Sequence, residues 1–298
     1  MVMLLFRVLS WLPLRVLHAL GAGLGWAYWW AAPGYRQRLR AQMELAGFGD
    51  PALLRRVIAE SGKQLLELAW VWSRPAADIL AAVQAANPEV EAAILAEQRP
   101  VLFLTPHLGC FEVIAQHYTL RPTGRERPML ALYRVPRQAV LLPLFEQARA
   151  RHGLKLAPAD LRGVRLMIQA LKRSQLVALL PDQVPSRGEG VWAPFFGRPA
   201  YTMTLPSRLA RAHGAVVGLF YAQRLPRGAG FRIHWDRLEL PAEADPVADA
   251  TVINRAMEGL IRRCPEQYLW SYARYKVPQG VEAPPVAAAA AAPGGGVA

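Results

Sequence analysis

Val101-Leu102-Phe103-Leu104, running on into Thr105-Pro106-His107-Leu108-Gly109-Cys110-Phe111-Glu112, is the stretch that decides how this chain folds. Four apolar residues between Pro100 and Pro106 are too few for a helix and suit a buried strand, and Pro106 biases Thr105 toward extended backbone. His107 therefore stands where a strand gives way to a helix. On a regular helix, five residues at about 100° each set Glu112 about 140° round from His107, so the two face each other only if His107 precedes the first turn. Gly109 eases the bend this needs. A carboxylate that accepts a hydrogen bond from one imidazole nitrogen fixes the tautomer and leaves the other nitrogen basic, as deprotonation of an alcohol requires. His107 and Glu112 are thus the candidate catalytic pair. The competing reading is a surface histidine and glutamate that never touch.

Strand candidates recur outward from this point: Met129 to Tyr133, Leu176 to Leu180, Ala215 to Ala222 and Phe231 to Trp235 join Val101 to Thr105. Helical stretches lie between them at Cys110 to His117, Gln138 to His152, Asp160 to Arg173, Leu205 to His213 and Pro246 to Arg263. Strands alternating with helices predict an α/β fold, a mostly parallel or mixed sheet flanked by helices on both faces. Polar functional residues gather at strand ends in such sheets. His107, Arg134 and Asp182 each end or follow a predicted strand, so three motifs converge on one rim. Arg134 offers a guanidinium fork to a phosphate or carbonyl oxygen of a substrate, with a plain surface arginine as the alternative. Asp182 orients Arg134 or an acceptor group, or else caps a turn. Upstream, Asp50-Pro51 opens a helix with aspartate as N-cap and proline at the first position. A second helical piece from Ile79 to Leu95 joins it, and together they form a helical cap.

The chain's 298 residues suffice for one large core, and a hydrophobic content of 53% excludes global disorder. A net charge of +13 calls for an anionic partner: nucleic acid, an anionic membrane or an acidic protein. No helix-turn-helix, zinc-finger or RNP-like pattern supports nucleic acid. Cys110 and Cys264 are the only cysteines, which excludes a disulfide framework and fits a reducing compartment. Cys110 reads as a buried small filler rather than a nucleophile. With no second ligand cluster at zinc spacing, neither a metal nor any other cofactor is expected.

From Met1 to Trp30 the chain is apolar except for Arg7, Ser10, Pro13, Arg15 and His18. At about 100° per residue the polar four fall within one arc of roughly 140°, leaving a broad face of Leu, Val and Trp. That pattern suits a helix lying in a membrane interface. The uncharged stretch from Val16 to Gly34 also has the length for one crossing of a thin bilayer. A cleaved signal peptide is a third reading, opposed by Arg15 within the apolar run, and a soluble core helix is a fourth. Trp26, Tyr28, Trp29 and Trp30, followed by Arg36, Arg38 and Arg40, read as an aromatic belt beside a basic rim for anionic head groups on the cytoplasmic side. The expected organisation is an anchor helix over 1–40, an α/β catalytic domain with its helical cap over 41–278, and a disordered Ala/Pro/Gly tail over 279–298.

Several further segments follow the octet in order: Tyr133-Arg134-Val135-Pro136, Leu180-Pro181-Asp182-Gln183, Gly190-Val191-Trp192-Ala193-Pro194-Phe195-Phe196-Gly197 and Cys264-Pro265-Glu266-Gln267-Tyr268-Leu269-Trp270. With them the chain resembles the late lipid A biosynthesis acyltransferases, the lauroyl/myristoyl acyltransferase family, over roughly residues 1 to 278. It departs from well-known members at Val184-Pro185, where they carry another acidic residue after the Asp-Gln pair. The resemblance implies an inner-membrane enzyme acting at the cytoplasmic face, acyl carrier protein as donor, and a hydroxyl of a lipid A precursor as acceptor. It implies His107 and Glu112 as catalytic residues and Arg134 and Asp182 as substrate-binding ones. Backbone N–H groups near Gly109 are candidate oxyanion donors, and Trp192, Phe195, Phe196 and Tyr201 are either ordinary core or the wall of an acyl groove. The alternatives are the same chemistry on another glycolipid or lysophospholipid, an acyl thioesterase, and a non-catalytic membrane-bound adaptor.

Overall fold

A computed structural model of the chain describes residues 2–133 and 153–284. Arg134 and the predicted helix from Gln138 to His152 lie outside the described residues, as does the predicted tail from residue 285 on.

Nine strands are present among the described residues: β1 (Val83–Ala85), β2 (Val101–Leu104), β3 (Met129–Tyr133), β4 (Lys155–Pro158), β5 (Leu176–Leu179), β6 (Gly190–Phe195), β7 (Arg198–Met203), β8 (Val216–Arg224) and β9 (Phe231–Leu238). Seven of them form one sheet in the order β1-β9-β8-β2-β5-β3-β4, and β6 and β7 pair as a separate hairpin. Every pairing in the large sheet is parallel except β8 with β9. This is the expected mostly parallel α/β sheet.

The central strand explains why its sequence is an unbroken apolar run. All four residues of β2 are buried, because parallel crossovers put helices on both faces and successive side chains point to opposite faces. Leu102 and Leu104 face one core with the helices Leu161–Lys172, Leu205–His213 and Pro246–Arg263. Val101 and Phe103 face the other, with the helices Ala76–Ala82 and Phe111–Leu120 and the N-terminal segment.

The N-terminal segment is not one helix. Pro13 lacks the N–H that would continue the first one, so the chain forms α1 (Val2–Trp11) and then α2 (Leu14–Ala31). A third helix, α3 (Pro33–Leu45), carries Arg36, Arg38 and Arg40, and α4 (Pro51–Ser73) is the predicted cap helix. Asp50 caps α4 as expected, its carboxylate accepting from the backbone N–H groups of Ala52 and Leu53 at 3.0 Å each. The second cap piece is broken in two: Ala76–Ala82 and Pro88–Leu95 flank β1, which pairs with β9. No described helix is long and apolar enough to cross a membrane.

α2 lies against α4 at backbone contact distance. A Cβ added to Gly25 would sit 2.2 Å from the Ile58 carbonyl oxygen, and one on Gly62 would sit 1.9 Å from that of Gly21. The polar arc predicted for the first thirty residues is correspondingly divided. His18 turns inward, buried, and its Nε2 lies 3.2 Å from Glu67 of α4. Glu67 also accepts from Arg224, at the end of β8, at 2.5 and 2.6 Å, and Arg224 donates in turn to Glu60 at 2.6 Å. Burial raises the Glu67 carboxyl, but the Arg224 charge and hydrogen bonds outweigh it and hold the group at about 2. The outward faces of α1 and α2 expose Val8, Trp11, Leu20, Leu24, Tyr28 and Trp30.

Candidate active site

The sheet register brings His107 to Asp182. Leu104 of β2 pairs with Leu179 of β5, and each strand then runs three residues further to its functional side chain. Parallel strands in register leave the sheet at the same level, so residues equally far beyond a paired position emerge side by side. The Thr105 N–H still donates to the Leu179 carbonyl at 3.3 Å, which carries the register past the strand ends. Asp182 then accepts twice from His107, from the backbone N–H at 2.9 Å and with Oδ1 2.7 Å from ring Nδ1.

Asp182 is almost wholly buried and the His107 side chain is 17% exposed, so the carboxylate is sealed while the ring reaches the surface. Burial by itself would raise the Asp182 carboxyl. The His107 charge, its two hydrogen bonds and the nearby Arg274 guanidinium together hold it below the usual carboxylate range. An ionised acceptor at Nδ1 fixes the proton there and leaves the lone pair on Nε2. The Gln183 side-chain nitrogen lies 3.2 Å from that Nε2.

The loop that carries His107 is held at every turn. Leu269 N–H donates to the His107 carbonyl at 3.0 Å, Gly109 N–H to the Gln267 carbonyl at 3.0 Å, and Cys110 N–H to the Ala222 carbonyl at 2.8 Å. Gly109 has φ of 61°, and a Cβ there would stand 1.9 Å from the Ala222 carbonyl oxygen, so the bend and the close approach both require glycine. The N–H groups of Gly109 and Cys110 are thus already bonded to backbone carbonyls. Cys110 is buried in the apolar core, where burial pushes its thiol well up.

Glu112 is the second residue of the helix Phe111–Leu120, and His107 does precede that helix. Its carboxylate, however, accepts from Trp72 Nε1 of α4 at 3.2 Å, while the His107 ring nitrogens meet Asp182 and Gln183. The carboxylate that meets the ring is therefore Asp182, from the turn that follows β5. Arg134 lies outside the described residues. Ala131 of β3 pairs with Ala178 of β5, so β3 ends at the same edge of the sheet.

Beside the site a cavity of about 440 Å³ opens between α2 and α4. Phe111 and Glu112 line one part of it, and Leu24, Tyr28, Leu65 and Trp72 are among the other lining residues. The His107 ring stands edge-on to Phe111, a lining residue, with centroids 5.1 Å apart, which sets the ring next to the cavity. The aromatic residues of the β6–β7 hairpin do not line it. Phe195 and Tyr201 are buried in their own packing, Phe195 against Phe196 and Tyr201 against Trp192.

Residues 1–277 match the family model of the bacterial lipid A biosynthesis acyltransferases. The chain belongs to that family. This acyltransferase is 28% identical over 227 residues to the lipid A biosynthesis lauroyltransferase of Escherichia coli K12, covering 74% of this chain and 71% of the relative. It is 25% identical over 291 residues to a lipid A biosynthesis acyltransferase of Haemophilus influenzae, covering 91% and 88%. A lipid A biosynthesis palmitoleoyltransferase of E. coli K12 is 31% identical over 157 residues, about half of each chain. Gln183 and Trp72, which contact His107 and Glu112 of the candidate site in this acyltransferase, were missed by sequence reasoning. Gln183 stood in a quoted motif without a role, and the one signal for Trp72 was its place in a helix expected to serve only as a cap.

Proposed function

We propose that this acyltransferase moves a fatty acyl chain from an acyl carrier protein thioester to a hydroxyl of a lipid A precursor at the cytoplasmic face of the inner membrane. The observation that carries the reading is a histidine oriented through Nδ1 by a buried carboxylate and standing next to an apolar cavity. A volume of about 440 Å³ falls in the range of roughly 300–1,000 Å³ usual for small-molecule sites, and apolar lining suits an acyl chain.

In the proposed reaction His107 Nε2 takes the proton of the acceptor hydroxyl as its oxygen adds to the thioester carbonyl. The carbon–sulfur bond then breaks, and the departing thiolate takes the proton back from the imidazolium. Asp182 keeps the ring in the right tautomer and stabilises its charge in transit. Glu112, held by Trp72 at the cavity wall, is the second catalytic carboxylate in this reading. Arg134 takes a phosphate or carbonyl oxygen of substrate. A base of this kind contributes about 10²–10⁴ in rate, and positioning supplies much of the rest.

The exposed apolar face of α1 and α2, with α3 and its arginines next in the chain, supports interfacial anchoring. The strongly positive chain suits an acidic carrier protein and a phosphorylated acceptor. The test is transfer of labelled acyl groups from acyl carrier protein thioesters to a lipid A precursor in detergent micelles, followed by mass spectrometry, for wild type, His107→Ala and Glu112→Ala. Addition of one chain by wild type, with most of the rate lost in both folded variants, is the expected result. Release of free fatty acid alone from wild type would make the enzyme a thioesterase and overturn the acceptor assignment.

A further inference from the structure

His107 Nε2, the atom that must receive the hydroxyl proton, is already engaged. With the ring proton fixed on Nδ1 by Asp182, Nε2 is an acceptor, and the Gln183 carboxamide nitrogen at 3.2 Å donates to it. The carboxylate that orients the ring and the amide that covers it are therefore consecutive residues at the end of β5. Gln183 is partly exposed, and the backbone just after it is pinned because Val184 N–H donates to the Tyr272 hydroxyl at 2.9 Å. The amide is thus free to move by side-chain torsion while its Cα stays in place. The ionisable groups around the pair are Asp182 and, from the C-terminal segment, Tyr268, Tyr272 and Arg274. Among the described residues the hydrogen-bond partner of Nε2 is Gln183.

A hydroxyl that donates to Nε2 and accepts from the same amide needs about 2.8 Å to each, which sets the two nitrogens about 4.5 Å apart. The amide must therefore withdraw by more than about 1 Å before any oxygen reaches the base. A lone water molecule gains little by forcing this, since it exchanges one hydrogen bond for another. An acceptor brings binding energy from the rest of its structure and spends part of it on the displacement.

We propose that Gln183 gates the base: it covers His107 Nε2 until a bound acceptor hydroxyl displaces it, and so directs the acyl chain to the acceptor rather than to water. The proposal rests on the reading of His107 as the base. The reaction it suppresses is hydrolysis of the donor. There, the water oxygen would add to the thioester carbonyl while its proton passed to His107 Nε2. The carbon–sulfur bond would break, and the thiolate would recover that proton, leaving free fatty acid and thiol.

The test uses the full chain in detergent micelles with lauroyl-acyl carrier protein as donor. Free laurate is measured without acceptor and acylated product with it, for wild type, Gln183→Ala, Gln183→Met, His107→Ala and the double variant His107→Ala/Gln183→Ala. Gln183→Met keeps the length of the side chain without a donor, so it stands in if Gln183→Ala fails to fold. Both Gln183 variants are expected to raise acceptor-free laurate release about tenfold while transfer falls, and the double variant to return release to the His107→Ala level. Release in Gln183→Met that stays at the wild-type rate, or falls in step with transfer, overturns the gate. A His107→Ala enzyme that keeps its transfer rate overturns the base assignment instead, and the two failures are told apart by that variant alone.

Discussion

His107 and Asp182 meet because two parallel strands share a register, and this is why half of the pair was legible in the sequence and half was not. A histidine just past a proline-bounded apolar run marks a strand mouth, and the residues reveal that much. Which carboxylate meets its ring depends on pairing between strands 75 residues apart, which no local spacing records. Glu112 was the carboxylate in view because it is near in sequence, and its hydrogen bond to Trp72 arises from helix packing that the sequence does not display. Asp182→Asn keeps the shape and removes the charge that fixes the tautomer. We expect kcat for transfer to fall by about 10³-fold or more with little change in the donor KM, as read from steady-state rates. Gly109→Ala forces a Cβ onto the Ala222 carbonyl and a strained φ. Its expected outcome is a Tm lowered by several degrees, with activity lost in proportion to the displaced loop, measured by thermal unfolding and transfer on the same sample.

At the scale of elements, α4 was legible from its cap and its spacing, while the break in the first helix and the inward turn of His18 were not. Pro13 signals a kink, yet the angular reading ran through it, and the partner that draws His18 inward lies 49 residues away. The β6–β7 hairpin escaped notice as strands because Gly190, Pro194, Gly197 and Pro199 punctuate it. Two predictions belong here. Gly62→Ala meets backbone atoms of α2 that have no free rotation to yield. It should destabilise the protein by about 1–3 kcal/mol in denaturant unfolding. Glu67 is held at about 2 by Arg224, so its depressed carboxyl contributes stability above its unfolded value near 4.5. That contribution is lost as pH falls from there toward 2. Glu67→Gln should therefore cost about 2–4 kcal/mol at neutral pH, because it leaves buried Arg224 with Glu60 as its one remaining carboxylate among those described, and the difference from wild type should shrink in acid.

Over the whole molecule, one face carries the outward apolar side chains of α1 and α2, and the cavity is lined by Leu24 and Tyr28 from that same α2 surface. Large apolar side chains exposed in this number suit an interaction surface. We expect the wild-type chain to co-sediment with anionic vesicles, and Trp11→Ser/Leu20→Ser to lose most of that binding while remaining folded. Binding that survives both changes but vanishes at high salt would assign it to the arginines instead. The mostly parallel sheet was readable from alternating elements, but the antiparallel pairing of β8 with β9 and the edge strands β1 and β4 were not, because short edge strands carry little periodic signal.

The grip of residues 267–269 on the loop around His107 also sets an order of events during synthesis. Those residues leave the ribosome about 160 positions after His107, roughly ten to thirty seconds later at ordinary elongation rates. Until then the loop has no partner for Gly109 N–H or for the His107 carbonyl. The α1–α2 segment is made earlier still, so it has left the ribosome well before the loop around His107 gains its last backbone partners.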